Sequence, residues 1–306
     1  MRIGWLICTG GMFGSVREVI ENSNVLCDLG HDVTIYTPEG IDLGWLPYKG
    51  RFRVMQYAES DGLDCLIFAN IPEEPFFGIF ERSDAKIKAF CMMGFSEQML
   101  HTEPTEFLTR KHHYMVETYW GIADGEWQID YMRNFSDNVG PSIGGINLKM
   151  FRRTLRDPKY DIIWTGDMRK RKGGIYVQKA IKGFSAITYF KKGLPQMAMS
   201  GYMNQASIFV DGHLHGGWCN PVAEAMASGV PVCCTDIPCT RDFAVNNETA
   251  LVSEAEDVEG MRKNITRLLK DPYIGEYLAE NAYERISKFD YEIIGRRLER
   301  AIIERL

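Results

Sequence analysis

The sequence predicts an α/β protein built of two Rossmann-like halves that face each other. Short apolar runs alternate with stretches of helical period along the 306 residues, which is typical of parallel sheets covered by helices. The length also fits two domains of about 150 residues each. In such sheets, ligands bind beyond the carboxyl ends of the strands, so we expect the functional loops there.

The first half begins with an apolar run at 3–9 that predicts a buried strand. A helical stretch at 15–29 follows, and Gly30 then turns the chain into a second strand at 30–37. The further elements expected in this half are strands at 53–57, 64–69 and 86–92, and a long helix at 96–119.

A second alternating series begins near residue 160. It predicts strands at 160–165, 186–190, 207–210 and 230–235, helices at 174–182 and 221–228, and three helices over 257–306. The join between the halves falls between residues 140 and 158. We therefore expect an N-terminal domain at 1–145 and a C-terminal domain at 146–306, whose last helix packs back on the N-terminal domain.

Composition excludes several other classes. An apolar fraction of 45% and a charged fraction of 25% are ordinary for a globular chain, and every apolar run is far shorter than a membrane span. The first residues lack the basic leader and cleavage site of a signal peptide. Eight scattered cysteines include no Cys-x-x-Cys pair, which argues against a zinc ribbon and fits reduced thiols in the cytoplasm.

The charge is unevenly distributed. The net charge is −6, yet residues 149–192 carry thirteen Lys or Arg against three Asp, a local +10. Such a segment either binds an anion or forms a solvated basic face. Composition does not distinguish the two.

Two segments have the chemistry expected after a strand. Gly10 and Gly11 lie in a glycine-rich turn that opens the first helix, where backbone amides are able to approach a phosphate. A purely geometric role for these glycines is equally consistent with the sequence. Near residue 220, Asn220 is expected to cap a helix that contains Pro221 in its first turn and ends at Gly229.

Glu224 is expected in the first turn of that helix. One interpretation is that its carboxylate compensates the helix dipole. The other is that it accepts hydrogen bonds from ligand hydroxyls such as a ribose diol.

Together these residues resemble glycosyltransferase family 4. Four blocks carry the resemblance in order: Gly10-Gly11 with 30–37, 143–151, 165–173 and 216–232. The resemblance implies the GT-B fold, with a nucleotide-sugar bound in the cleft between two Rossmann-like domains. The N-terminal domain would then be the acceptor side and the C-terminal domain the donor side.

The resemblance also implies an activity, the transfer of a sugar from a nucleoside diphosphate with retention and without a metal or other cofactor. Arg171 and Lys172 would neutralise the diphosphate, and Glu224 would hold the ribose. The other residues implied to face the phosphates and sugar are Gly10, Gly11, Gly216, Gly217, Asn220, Pro221 and Val222. The acceptor stays open among a saccharide, a lipid-linked glycan, a protein and a modified DNA base.

Three departures from the family pattern motivate alternatives. Gly216 stands where the family has the first glutamate of a pair, and Asp167 where an arginine is common. No histidine stands near Met92, where many members have one. His215 is a candidate to serve in place of the missing glutamate. The alternatives are a catalytically silent nucleotide-sugar-binding protein and a nucleotide-sugar epimerase.

Five histidines are candidates for polar contacts near the cleft, and the four besides His215 fall into two groups. A structural role is expected for the three in the long helical region, which are His101, His112 and His113. His213 lies with His215 in the loop that enters the Glu224 helix, where either a structural role or a ligand contact fits.

Overall fold

The structure, a computed structural model, describes residues 1–42, 44–69, 71–93, 106–166, 168–188 and 196–306. It divides into two compact units, Met1–Gly144 with Tyr291–Leu306, and Gly145–Asp290. Each unit is built around a parallel sheet, which confirms the predicted α/β class. Within these ranges, no helix has the length and apolar character needed to cross a bilayer.

The first unit contains a seven-stranded sheet with the order β3-β2-β1-β4-β5-β6-β7. Its central strands are buried on both faces, which explains why their sequences are continuous apolar runs. The strands are β1 Arg2–Leu6, β2 Asp32–Thr37, β3 Arg51–Val54, β4 Cys65–Phe68, β5 Ile87–Met92, β6 Trp120–Ala123 and β7 Val139–Ser142.

Helices of the first unit cover this sheet. They are α1 Gly14–Asp28, α2 Phe76–Arg82, α3 Glu106–Thr118 and α4 Glu126–Met132. An aromatic cluster fills part of the core, where Phe68 stacks on Phe80 with ring centroids 5.3 Å apart. Phe90 joins them from β5, and all three rings are fully buried.

The second unit contains a five-stranded parallel sheet with the order β12-β11-β10-β8-β9. Its strands are β8 Tyr160–Trp164, β9 Ala186–Thr188, β10 Ala206–Val210, β11 Val232–Thr235 and β12 Leu251–Ser253. Its helices are α5 Gly174–Ala180, α6 Gln196–Met203, α7 Asn220–Ala227, α8 Pro238–Arg241, α9 Val258–Lys270 and α10 Pro272–Ile286. The core includes Trp164, Val177, Ile208, Ile265 and Leu278.

The final helix, α11 Tyr291–Ile303, lies within the first unit. It packs on α1, and Gly295 permits the close approach because a Cβ there would lie 2.6 Å from Val25 Cγ1. The domain boundary expected from the sequence, between residues 145 and 146, assigned α11 to the end of the second domain and expected it to pack back on the first domain. In the structure, the second unit ends at Asp290.

Most predicted elements lie within a few residues of their expected positions, but some differ. The strand expected at 53–57 is wrong in its second part, because β3 ends at Val54 and Met55–Glu59 form a 3₁₀ helix. The part of the long helix that the structure describes begins at Glu106. Residues 96–105, which were expected to belong to this helix, lie outside the described residues. Unexpected elements are α2, β6, α4, β7, α6, α8 and β12.

Each sheet has one topological switch point. In the first, β1 lies between β2 and β4, and in the second, β8 lies between β9 and β10. The loops that follow the two adjacent strands diverge there and leave a crevice at the carboxyl edge. In the second unit these loops are 165–173, here called the cation loop, and 211–219, here called the histidine loop.

Gly173 holds the two loops of the second unit close together. Its φ of 61° lies in the left-handed region. A Cβ on Gly173 would overlap the carbonyl oxygen of Gly212 in the histidine loop. Glycine is therefore required here both by the backbone conformation and by the close approach.

We expect Gly173→Ala to destabilise the second unit by more than about 2 kcal/mol, because strain at positive φ and a backbone clash add together. Gly183→Ala is the matched control, since Gly183 has a φ of 91° and a Cβ added there would meet nothing within 4 Å. Denaturant unfolding measures both free energies. Equal losses of stability in the two variants would contradict the close-approach argument.

Candidate functional site

The cation loop brings Arg171 and Lys172 to the switch point of the second sheet. After β8 ends at Trp164, Lys170–Lys172 form a 3₁₀ turn that leads through Gly173 into α5. The Leu214 amide donates to the carbonyl oxygen of Arg171 at 2.9 Å, which ties this loop to the histidine loop. The two cations therefore lie against the histidine loop.

Asp211 and His213 form a buried pair in the histidine loop, with 1% and 4% of their surfaces exposed. Asp211 Oδ1 lies 2.7 Å from His213 Nδ1, and Asp211 Oδ2 accepts from the His213 backbone amide at 3.0 Å. His213 Nε2 contacts the ammonium of Lys172. The result is a chain from carboxylate to imidazole to ammonium.

The ionisation of this chain follows from burial and charge. Burial, followed by the neighbouring Arg171, lowers the pKa of Lys172. Burial alone would raise the pKa of Asp211, but the electrostatic influence and hydrogen bonds of the neighbouring His213, together with the Lys172 ammonium, hold this pKa below its usual value. Burial also lowers the pKa of His213 against the opposing effect of Asp211.

His215 is the second buried histidine of the loop, with 5% of its surface exposed. Neither ring nitrogen has a hydrogen-bond partner among the described residues. Burial, followed by the positive charge of Arg171, lowers the pKa of His215 to about 4. At neutral pH the ring is therefore neutral, with one N–H donor and one acceptor that no described residue engages.

Helix α7 begins where the histidine loop ends, and its start differs from the prediction. Cys219 occupies the N-cap position without a side-chain hydrogen bond to the helix, and Asn220 is the first helical residue, so the prediction that Asn220 caps the helix was wrong. Pro221 lies in the first turn as predicted. Gly229, with a φ of 72°, follows the last turn, as expected for a helix end.

Glu224 lies just beyond the first turn of α7, which contains no acidic residue, so the predicted first-turn position was wrong. Only 5% of Glu224 is exposed, and Val222 is fully buried. A surface residue that compensates the dipole would remain solvated, so burial favours a specific role for the Glu224 carboxylate. That Glu224 and Lys172 bind the same ligand stays a prediction.

Gly216 and Gly217 lie between His215 and α7. The nearest atom to a Cβ added at Gly216 would be Cys239 Sγ at 3.5 Å, an ordinary contact distance. Packing therefore does not exclude a Cβ at Gly216.

Gly10 and Gly11 lie in the first unit, in the turn between β1 and α1. The Gly11 amide donates to Thr9 Oγ1 at 3.0 Å, and the carbonyl of Gly10 accepts from Trp45 Nε1 at 2.8 Å. These bonds fix the turn internally. The approach of Gly10 and Gly11 to a phosphate or a donor sugar stays a prediction.

His112 and His113 have the structural surroundings expected of them. His112 is buried with its ring edge against Phe90, and His113 stacks on Phe135 at 4.0 Å between centroids. His101 and Asp167 lie outside the described residues. Sequence reasoning missed Asp211, although an acidic residue directly after an apolar strand and two before a histidine was a usable signal.

Asp211, His213 and Cys219 place their potential metal-ligand atoms within 4.8 Å of one another. Both ring nitrogens of His213 are already engaged, one by Asp211 and the other by the Lys172 ammonium. The Lys172 ammonium, which contacts His213, repels a divalent cation. The donor set therefore fits a hydrogen-bond chain better than a metal site.

Comparisons with known proteins agree with this architecture. Residues 181–285, which include His215 and Glu224, match the family described as glycosyl transferases group 1. The sequence-based resemblance to glycosyltransferases is confirmed. A curated relative, the capsular polysaccharide biosynthesis glycosyltransferase CapM of Staphylococcus aureus, is 31% identical over 99 residues, which are 32% of this chain and 26% of CapM. The match thus spans about a quarter of that relative.

Solved glycosyltransferases share the fold. Sucrose-phosphate synthase from Thermosynechococcus elongatus superposes with a TM-score of 0.83 at 15% identity, covering 99% of this chain and 98% of its own. Anabaena Alr3699/HepE in complex with UDP-glucose superposes with a TM-score of 0.80 at 10% identity, covering 99% and 100%. The fold is GT-B, as predicted.

The buried neutral state of His215 predicts a pH-dependent stability. Its pKa is about 4 in the folded protein against an ordinary value of 6.5, so the unfolded chain takes up this proton first as the pH falls. We expect His215 to cost roughly 2 kcal/mol of stability between pH 7 and pH 4.

Denaturant unfolding across this pH range measures the effect. His215→Gln should flatten the decline, because glutamine does not titrate. The same pH dependence in the variant and the wild type would show that His215 is not buried in its neutral form.

Proposed function

We propose that this protein is a glycosyltransferase that moves a sugar from a nucleoside diphosphate to an acceptor hydroxyl. The observation that carries the proposal is the cluster at the second switch point. There, Lys172 contacts His213, and Arg171 and Lys172 lie close enough to the buried His215 for their charges to help lower its pKa to about 4. His215 itself lies just before the start of α7. Cations, a neutral donor and helix-end amides are the groups that stabilise a departing diphosphate.

Each group has a distinct role in the proposed donor site. Arg171 and Lys172 bind the diphosphate, and the amides at the start of α7 around Asn220 and Val222 face a phosphate or the sugar. Glu224 accepts from the ribose hydroxyls. His215, whose ring nitrogens are not engaged by any described residue, donates a hydrogen bond to a donor oxygen.

In the proposed transfer, the bond between the anomeric carbon and the phosphate oxygen breaks, and that oxygen keeps the electron pair. The acceptor hydroxyl oxygen forms the new bond to the anomeric carbon on the same face, and its proton passes to the leaving phosphate. Configuration is then retained without a protein nucleophile. The two cations stabilise the negative charge that develops, so the scheme requires no metal.

UDP is the nucleotide we propose as the first probe. The structurally similar HepE has been crystallised with UDP-glucose, and S. aureus TarM with UDP.

All eight cysteines of this chain are free thiols, which supports a reducing compartment such as the cytoplasm.

Because Gly216 stands where the family has a glutamate, two alternative functions are also tested: a catalytically silent nucleotide-sugar-binding protein and a nucleotide-sugar epimerase. Isotope-labelled UDP-sugars separate the three functions. Slow hydrolysis or transfer supports the transferase, tight binding without turnover supports the silent binder, and a changed free UDP-sugar supports the epimerase.

We propose that the acceptor binds in a cavity of about 240 Å³ at the switch point of the first sheet. It lies at the carboxyl ends of β1, β4 and β5, and its walls are mainly apolar. Phe13 and Ile71 line it although 47% and 46% of their surfaces are exposed. Exposed apolar walls around a cavity favour a ligand with an apolar group, so we propose an acceptor that carries one beside its hydroxyl.

We expect Lys172→Ala to weaken UDP binding by about 10- to 100-fold, because a charge-assisted hydrogen bond is lost. Glu224→Ala should weaken UDP binding similarly but leave pyrophosphate binding unchanged. Calorimetric titration measures the affinities of the variants for UDP and for pyrophosphate. Lys170→Ala is the control, because Lys170 is an exposed neighbour in the same loop. Unchanged UDP affinity in Lys172→Ala would remove the diphosphate assignment.

Phe13→Ser tests the acceptor cavity, and a serine at this N-cap position of α1 should not weaken the helix. We expect transfer to phenyl or octyl glycosides to fall at least about tenfold, while hydrolysis of the donor stays constant. Ile303→Ser, at an exposed apolar site on α11, is the control. An equal effect of both variants would argue against an apolar acceptor.

A further inference from the structure

The chain of Asp211, His213 and Lys172 has a defined pattern of protons. A carboxylate only accepts hydrogen bonds and an ammonium only donates them. His213 therefore donates from Nδ1 to Asp211 and accepts at Nε2 from Lys172. A single neutral tautomer of the imidazole satisfies both contacts.

This tautomer determines the orientation of Lys172. Of the three N–H groups of its ammonium, one is directed at His213 Nε2, which leaves two for other acceptors. A direct ion pair with Asp211 would instead bring the carboxylate next to any bound phosphate. The interposed ring keeps the negative charge away from the ligand and still holds the lysine.

The charges around Lys172 come from both loops. Arg169 and Arg171 on its own loop disfavour the ammonium, whereas Asp211 and Cys219 on the facing loop favour it. His213 and His215, also on the facing loop, are neutral because burial lowers their pKa values. Asp211 is thus an ionised carboxylate that supports the charge of Lys172.

We propose that Asp211 and His213 are positioning residues for the donor diphosphate: Asp211 fixes the tautomer of His213, and His213 holds the Lys172 ammonium so that its other two N–H groups serve the phosphate. The inference rests on the proposed function of Lys172. It assigns to the histidine loop a role in binding that does not require contact between His213 and the ligand.

Two substitutions of His213 separate positioning from packing. Glutamine places a carbonyl oxygen near the position of Nε2 and so preserves an acceptor for Lys172, whereas asparagine preserves only a donor toward Asp211. We expect UDP affinity to fall at least about tenfold in His213→Asn and to stay within about threefold of the wild type in His213→Gln. Thermal unfolding of both variants controls for folding.

The pH profile of UDP binding tests Asp211. UDP affinity should fall at alkaline pH as Lys172 loses its proton. In Asp211→Asn, this fall should move to lower pH by about one unit, because the carboxylate that favours the ammonium is gone. A merely structural loss would reduce affinity by the same factor at every pH.

Several results would overturn the proposal. Equal losses in both His213 variants, or an alkaline limb that does not move in Asp211→Asn, would leave these residues with packing roles only. If the wild type fails to bind UDP, the proposed function fails, and ring ¹⁵N shifts of His213 then test the chain directly. A neutral Nδ1–H ring is expected at pH 7, and an Nε2–H or a doubly protonated ring would refute the inference.

Discussion

The contact between the Lys172 ammonium and the His213 ring is the interaction on which the proposed donor site depends. It joins the loops that follow β8 and β10, which diverge from the switch point of the second sheet. The close approach of Gly173 and Gly212 brings these loops within reach of each other. Without that approach, the cations of one loop and the histidines of the other would not share a site.

Burial gives this cluster its chemistry. It keeps His213 and His215 neutral, and it makes the charge of Lys172 sensitive to Asp211. A neutral imidazole is able to donate a hydrogen bond to a phosphate oxygen and also to accept one, which a solvated lysine cannot do. The cluster therefore combines charge neutralisation with directional hydrogen bonds, which suits a departing diphosphate better than a basic surface would.

Much of this arrangement could be predicted from sequence, because buried parallel strands are continuous apolar runs. The predicted strands at 160–165 and 207–210 correspond to β8 and β10. The histidine loop was expected to carry binding chemistry because it follows a strand, whereas the cation loop was singled out through the family resemblance. Short elements were missed. β6 has four residues including Gly121, and β12 has three, so neither provides enough periodicity to be recognised.

The details of the site depended on three-dimensional packing. Asn220 is an ordinary capping residue by type, but the chain enters α7 one residue earlier, at Cys219. The partnership of Asp211 and His213 with Lys172 spans about forty residues of sequence and includes no recognised motif. It depends on how closely two loops pack, and Gly173 and Gly212 reveal that packing only when the backbone is known.

Binding of nucleotides that differ only in their phosphates tests the central claim most directly. Calorimetry on the wild-type protein should find that UDP binds at least about tenfold more tightly than UMP, because the second phosphate reaches Lys172 and Arg171. This difference should shrink as the salt concentration rises. Equal affinities for UDP and UMP at low salt would contradict a diphosphate site at this switch point.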